Sequence, residues 1–427
     1  MSDGKLNSAL WEAPLPEPPE AEGRGLRIVE AAFAERTSRD SGLTGAMTPT
    51  ISERWPRRAL PRLALGLSLA ALLAILLLSP AGAAVRSWVD DTFTASTPRP
   101  EPTLAHIPGG GHLLVQTGEG PWVVRPDGSR RLLGDYEEAS WSPHGLFVAA
   151  AKGRTLSAVA PDGTPHWSIT AGARVGVPRW SPSGERIAYR SGFDLRVIAG
   201  DGTEDHLVAG ETAAGAPPDG RISPAYVAPA WAPDGRNVLA YVTGAGRLRI
   251  VNSETGAVLA GAPALHKITW MDWADAGREI LEASPGALRL RPVRETGHPS
   301  RPALGRARRL PPPEGNTVVG AALAPDRPTV AAVFTDWRDH GTSSSVVVYE
   351  PGATPRSLLT VPGSLGQVEW SPDGRRLLVA WPGANQWLFL PLGHGRGRAV
   401  ANINRAFAPG GQPTSFPRVE GWCCPGP

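Results

Sequence analysis

Lysine is nearly missing from this 427-residue chain. Lys5, Lys152 and Lys267 are the only three, so the 43 basic residues are overwhelmingly arginine. No lysine sits in a glycine-rich phosphate-binding context, which excludes a P-loop. An excess of one charge sign is missing too: 43 basic against 40 acidic residues give a formal +3. With no long basic run, no nucleic-acid partner is expected. Cys423 and Cys424 are the only cysteines, too few for a disulfide framework. Neither H-E-x-x-H nor G-x-S-x-G occurs, and the nine histidines are scattered with no pair at metal-ligand spacing. No catalytic, metal or cofactor-binding residue is therefore assigned, and the chain reads as non-enzymatic. What is plentiful is glycine (50), proline (45) and tryptophan (15), against 8 Phe and 5 Tyr, a profile that suits a turn-rich β protein.

Long apolar runs are also scarce, with one exception. Residues 63–85, LALGLSLAALLAILLLSPAGAAV, carry no charge and are long enough for one transmembrane helix. Arg54, Arg57, Arg58 and Arg62 crowd its N-terminal flank, while Asp90 and Asp91 follow it. The positive-inside rule then puts residues 1–62 in the cytoplasm and the bulk of the chain outside the membrane. Ala81-Gly82-Ala83 resembles a signal-peptide cleavage site, but a leader of some 60 residues favours a retained anchor. Within the tail, Leu26, Val29 and Phe33 share one face of a short amphipathic helix over 24–37, a docking face for a cytoplasmic regulator or merely a transient helix. Residues 86–103 form a Pro-rich spacer.

From residue 104 onward the sequence repeats. WSPHG starts at Trp141, WSPSG at Trp180, WAPDG at Trp231, WADAG at Trp273 and WSPDG at Trp370, with a degraded LAPDR at Leu323. Spacings of 39 to 51 residues match propeller blades of four strands each. In each unit a strand ends at the tryptophan, which supplies packing area between blades. A turn follows in which Gly145, Gly184, Gly235, Gly277 or Gly374 supplies positive φ, and a second strand resumes. LAHIPGGGHLLVQ, from Leu104, reads as strand, turn and strand of one more unit. The fold class is thus all-β, a seven-bladed β-propeller over 104–427, although six or eight blades also fit. TDWRDH at 335–340 reads as a solvated hairpin connection or a Trp-Arg interface, and the Gly/Pro-rich stretch 209–226 as a loop over one face of the ring.

These W-S-P-D-G hairpins resemble those of TolB-like and related WD-repeat-like propellers. The layout of tail, anchor and propeller resembles membrane-anchored propeller proteins of actinobacteria. The resemblance implies a protein-binding or scaffold role at the cell envelope rather than one activity. The lipid bilayer and an envelope or extracellular protein are the partners expected. The alternatives are a transmembrane sensor whose tail holds a cytoplasmic regulator, and a hydrolase or lyase using channel residues from several blades.

The terminus fits the same plan. FPRVEGWCCPG echoes VPRWSPSG, which suggests that segment 401–427 returns as a last strand and turn to close the ring. Outside the membrane the adjacent cysteines are expected to be oxidised, as a vicinal disulfide or to a second molecule, and to act as a structural latch more than as a redox switch.

Overall fold

The computed structural model describes residues 100–101, 104–210, 227–273, 278–296, 301–313, 316–338, 341–408 and 415–424. The span at 63–85, the Leu26/Val29/Phe33 face, Gly277 and residues 211–226 lie outside them. Among the described residues no helix is long and apolar enough to cross a membrane.

The described strands group into seven sheets, and the chain is a seven-bladed β-propeller. From the innermost strand outward, blade II holds Glu138–Trp141, Val148–Lys152, Thr155–Val159 and Pro165–Thr170. Blade III holds Val175–Trp180, Arg186–Ser191, Asp194–Ala199 and His206–Ala209. Blades IV, V, VI and VII begin at Ala230–Trp231, Trp270–Trp273, Thr317–Leu323 and Val368–Trp370. Neighbouring strands of these units are antiparallel, and in blade V the third strand, Ala287–Thr296, pairs with two short outer strands, Arg301–Leu304 and Arg308–Leu310.

Blade I corrects part of the sequence reading. Residues 104–107 are not a strand; the innermost strand is Arg418–Cys423, antiparallel to His112–Thr117. A segment from the C-terminal end thus completes the first blade, and the open edges that first and last units would otherwise present are paired. The end of the Pro-rich segment also joins a sheet: Pro100–Glu101 pairs in parallel with Ala399–Val400 at the rim of blade VII. Residues 335–338 of the TDWRDH stretch lie in a long hairpin, Val330–Arg338 against Gly341–Tyr349, with Trp337 exposed; residues 339–340 lie outside the described residues.

Seven apolar clusters, one for each seam between adjacent blades, make up the core. The repeat tryptophans fix these seams. Trp231 Nε1 donates to the Arg179 carbonyl of blade III at 2.9 Å, and Trp370 Nε1 to the Ala322 carbonyl of blade VI at 3.0 Å. These two indoles thereby bury their apolar area while pairing their polar edge with the preceding blade, whereas Trp141, Trp180 and Trp273 contribute packing alone. Between blades VII and I a short helix, Ile403–Phe407, inserts Phe407 against Trp387 and Trp122, with ring centroids 5.4 and 5.9 Å apart.

Candidate functional site: an acidic channel and an aromatic groove

The repeat turns are the rigid frame on which any site must sit. In blade VII the Ser371 hydroxyl accepts from the Arg376 amide at 2.9 Å and donates to Asp373, while Asp373 accepts from the Arg375 amide at 3.0 Å. Ser142 and Ser181 accept in the same way from the amides of Phe147 and Arg186. Gly145, Gly184, Gly235 and Gly374 all have φ between 63° and 76°, a region that side chains with a Cβ rarely enter. These residues and the repeat tryptophans therefore hold the turns and the seams in place.

The seven innermost strands each touch the next around a central channel. Arg179 in blade III, Asp272 in blade V and Glu369 in blade VII each directly precede the tryptophan of their blade. Side chains alternate along a strand, so these residues face away from the seam that the tryptophan fills. They interact electrostatically although their blades are not adjacent, which places all three around one central space. Glu420 of blade I joins them. The strand ladder skips it, pairing Leu114 with Gly421 and Val115 with Val419, and a bulge of this kind re-aims the extra residue.

Three carboxylates thus share a confined space with the Arg179 guanidinium, and Glu420 is also paired to Arg418 at 2.7 Å. Glu369 is pushed up to about 8, chiefly by burial and then by the negative charges of Glu420 and Asp272, with Arg179 opposing. Burial likewise lifts Asp272 to about 6, against the Trp273 amide at 2.8 Å and Arg179. Both side chains keep some surface open to the channel while protein surrounds them, so the water they meet is too restricted to solvate a full charge. A cavity of about 170 Å³ opens beside Glu369, lined by Trp270, Gln367 and Val319 among others. Among the described residues no three His, Cys, Asp or Glu side chains are grouped to hold a metal ion.

A larger hollow lies at the seam of blades II and III. It measures about 830 Å³ and is walled by Phe147, Trp167 and Trp180, with His166, Glu185 and Glu204 on its margin. The Phe147 and Trp180 rings stack at 6.4 Å, and His166 meets Phe147 edge-on at 4.7 Å. Trp167 is held by its Nε1, which donates to the Gly200 carbonyl at 2.9 Å. Gly202, at φ 87°, lets the turn of blade III lie flat on that indole; a Cβ there would come within 2.8 Å of the ring. The aromatic walls are therefore preset by packing.

At the ring closure, Cys423 and Cys424 are joined by a disulfide. Their sulfurs sit over the blade II turn, 3.8 Å from the carbonyls of Ser142 and Pro143 respectively. A Cβ on Gly145 would lie 2.7 Å from the Cys424 sulfur.

Neither the channel nor the groove was assigned from sequence. Channel charges come from blades far apart in the chain, although three of them share the position before the repeat tryptophan. The groove does leave a local mark, because Trp167 lies outside the repeat position.

No protein-family model matches the chain, and no curated protein matches it. Solved structures resemble it in fold. The β-propeller domain of Cps50 (Swd1) from Myceliophteria thermophila is 17% identical over 67% of this chain and 99% of its own, with a TM-score of 0.48. KlHsv2 with loop 6CD replaced by a Gly-Ser linker is 14% identical over 68% and 94%, at 0.46. Kuenenia stuttgartiensis hydrazine synthase is 9% identical over 60% and 76%, at 0.42.

Proposed function

We propose that this chain is a single-pass, membrane-anchored propeller of the TolB-like type that works as a non-enzymatic, extracytoplasmic protein-binding or scaffold module. The observation that carries the binding role is the groove between blades II and III. It is concave and aromatic-walled, as recognition sites are, and its walls are packed in place before any partner arrives. The uncharged run at 63–85 with arginines on its N-terminal side supports the anchor and its orientation. The Pro-rich spacer would hold the ring clear of the lipid. An envelope or extracellular protein is the partner this arrangement suits.

Two measurements test it. Protease added to intact cells should digest a C-terminal tag and spare an N-terminal one; the opposite pattern refutes the topology. A photoreactive residue at Thr203, an exposed groove position, should crosslink a partner that the same residue at Glu350 on blade VI does not. Identical or absent crosslinking from both positions removes the groove as the binding site.

A further inference from the structure

The groove combines aromatic faces with an excess of acid. Glu185 is exposed and has no ion-pair partner among the described residues. Asp201 is exposed, and its carboxylate accepts from the amide and hydroxyl of Thr203 within its own turn. Glu204 is the third carboxylate on the margin, 2.9 Å from Arg186. The single guanidinium of the lining, Arg186, is already engaged, paired to Glu204 on one side and at 3.0 Å to Glu254 of blade IV on the other. Its charge is therefore compensated from within the protein, and the groove keeps a negative balance.

A cation suits such a surface twice over. Ring faces attract it through their quadrupole, and the carboxylates attract it through charge. At about 830 Å³ the hollow is larger than one small cation would fill and lies within the range of sites for extended ligands. Next to Phe147 in the chain, Leu146 is 64% exposed, an apolar shoulder for a residue flanking the cation.

We propose that the groove between blades II and III receives an arginine or lysine side chain presented on an extended segment of the partner protein. This deepens, and rests on, the binding-module reading above. The polar and charged margin gives orientation, while the aromatic walls give the contact area.

The test uses the full-length chain in detergent micelles and calorimetric titration with acetyl-Gly-Arg-Leu-Gly-Arg-Leu-amide. Its glutamine counterpart and tetramethylammonium are the controls. The arginine peptide should bind at least about tenfold more tightly than the glutamine peptide. Charge reversal at an exposed, unpaired position, Glu185→Lys, should weaken it by about five- to tenfold without moving the melting temperature. Phe147→Ala should weaken it comparably, and its melting curve reports whether the fold survives. Equal binding of the two peptides, no binding of either, or an unchanged affinity in Glu185→Lys would each overturn the proposal. Tetramethylammonium binding more tightly than the arginine peptide would also overturn it, in favour of a small-cation site. Failure here, with crosslinking from Thr203 intact, leaves the binding-module reading standing; loss of that crosslinking removes both.

Discussion

Replacing Glu369 by glutamine should make the protein more stable in alkali and leave it unchanged in acid. The carboxyl has a usual value of 4.5 and is pushed up to about 8 in the channel. A folded-state value above the unfolded one means that this group's contribution is fully present below about pH 4.5. It declines as the pH rises and is lost beyond about pH 8. At about 1.4 kcal/mol per unit the ceiling is about 5 kcal/mol. Channel water solvates part of the charge, so about 2–4 kcal/mol is the expected difference. Glutamine keeps the size and carries no charge at any pH, and so it omits this loss. Urea unfolding of both proteins, followed by tryptophan fluorescence at about pH 4, 7 and 9, reads the effect directly. The variant should match the parent at about pH 4 and exceed it increasingly from there up to about pH 8, beyond which the difference levels off. Parallel stability curves across that range would refute the placement of Glu369 among Asp272, Glu420 and Arg179.

Three other perturbations probe other parts of the ring. Glu282 is fully buried and paired with Arg291 at 2.8 Å and Arg289 at 2.6 Å, so Glu282→Ala strands a buried guanidinium and should cost about 3–5 kcal/mol in chemical denaturation. Gly145→Ala meets both a φ of 67° and the Cys424 sulfur, whereas Gly153→Ala meets a φ of 55° and open space. The first should destabilise by about 1–3 kcal/mol and clearly exceed the second in thermal melts. Removing residues 418–427 deletes the innermost strand of blade I, and limited proteolysis should show that blade and its seams opening first.

The blade count was legible because its signal is local. A tryptophan followed four residues later by a glycine, with a serine or an aspartate between them, specifies one turn, and five copies of it mark five blades. The first blade was harder to read. Residues 104–107 and 418–423 have similar strand character, and only pairing with His112–Thr117, about 300 residues from the second candidate, decides between them. The echo of Val177-Pro178-Arg179-Trp180 in the terminal segment carried that information because both are innermost strands with a seam tryptophan at or next to their last residue. Local pattern could not bring Arg179, Asp272 and Glu369 together, since their meeting depends on closure of the whole ring. The same holds for the groove. Phe147 belongs to a turn and Trp167 to an outer strand, and they wall one hollow only because blade III lies beside blade II.

The terminal segment Arg418–Cys424 links these features physically. Trp422 packs at the seam of blades VII and I, with its Nε1 donating to the Gly110 carbonyl at 2.8 Å. Glu420, two residues earlier, adds to the negative potential that holds Glu369 protonated. Two residues later the disulfide rests on the turn Ser142–Phe147, whose last residue is a wall of the groove. Ring closure, channel charge and groove shape therefore share one short strand. Buried Glu282, by contrast, serves the seam of blades IV and V, where Arg291 reaches the Pro263 carbonyl at 3.0 Å. A lesion at the terminal strand should consequently move the pH dependence of stability and the affinity of the groove together. One at Glu282 should lower stability without changing either.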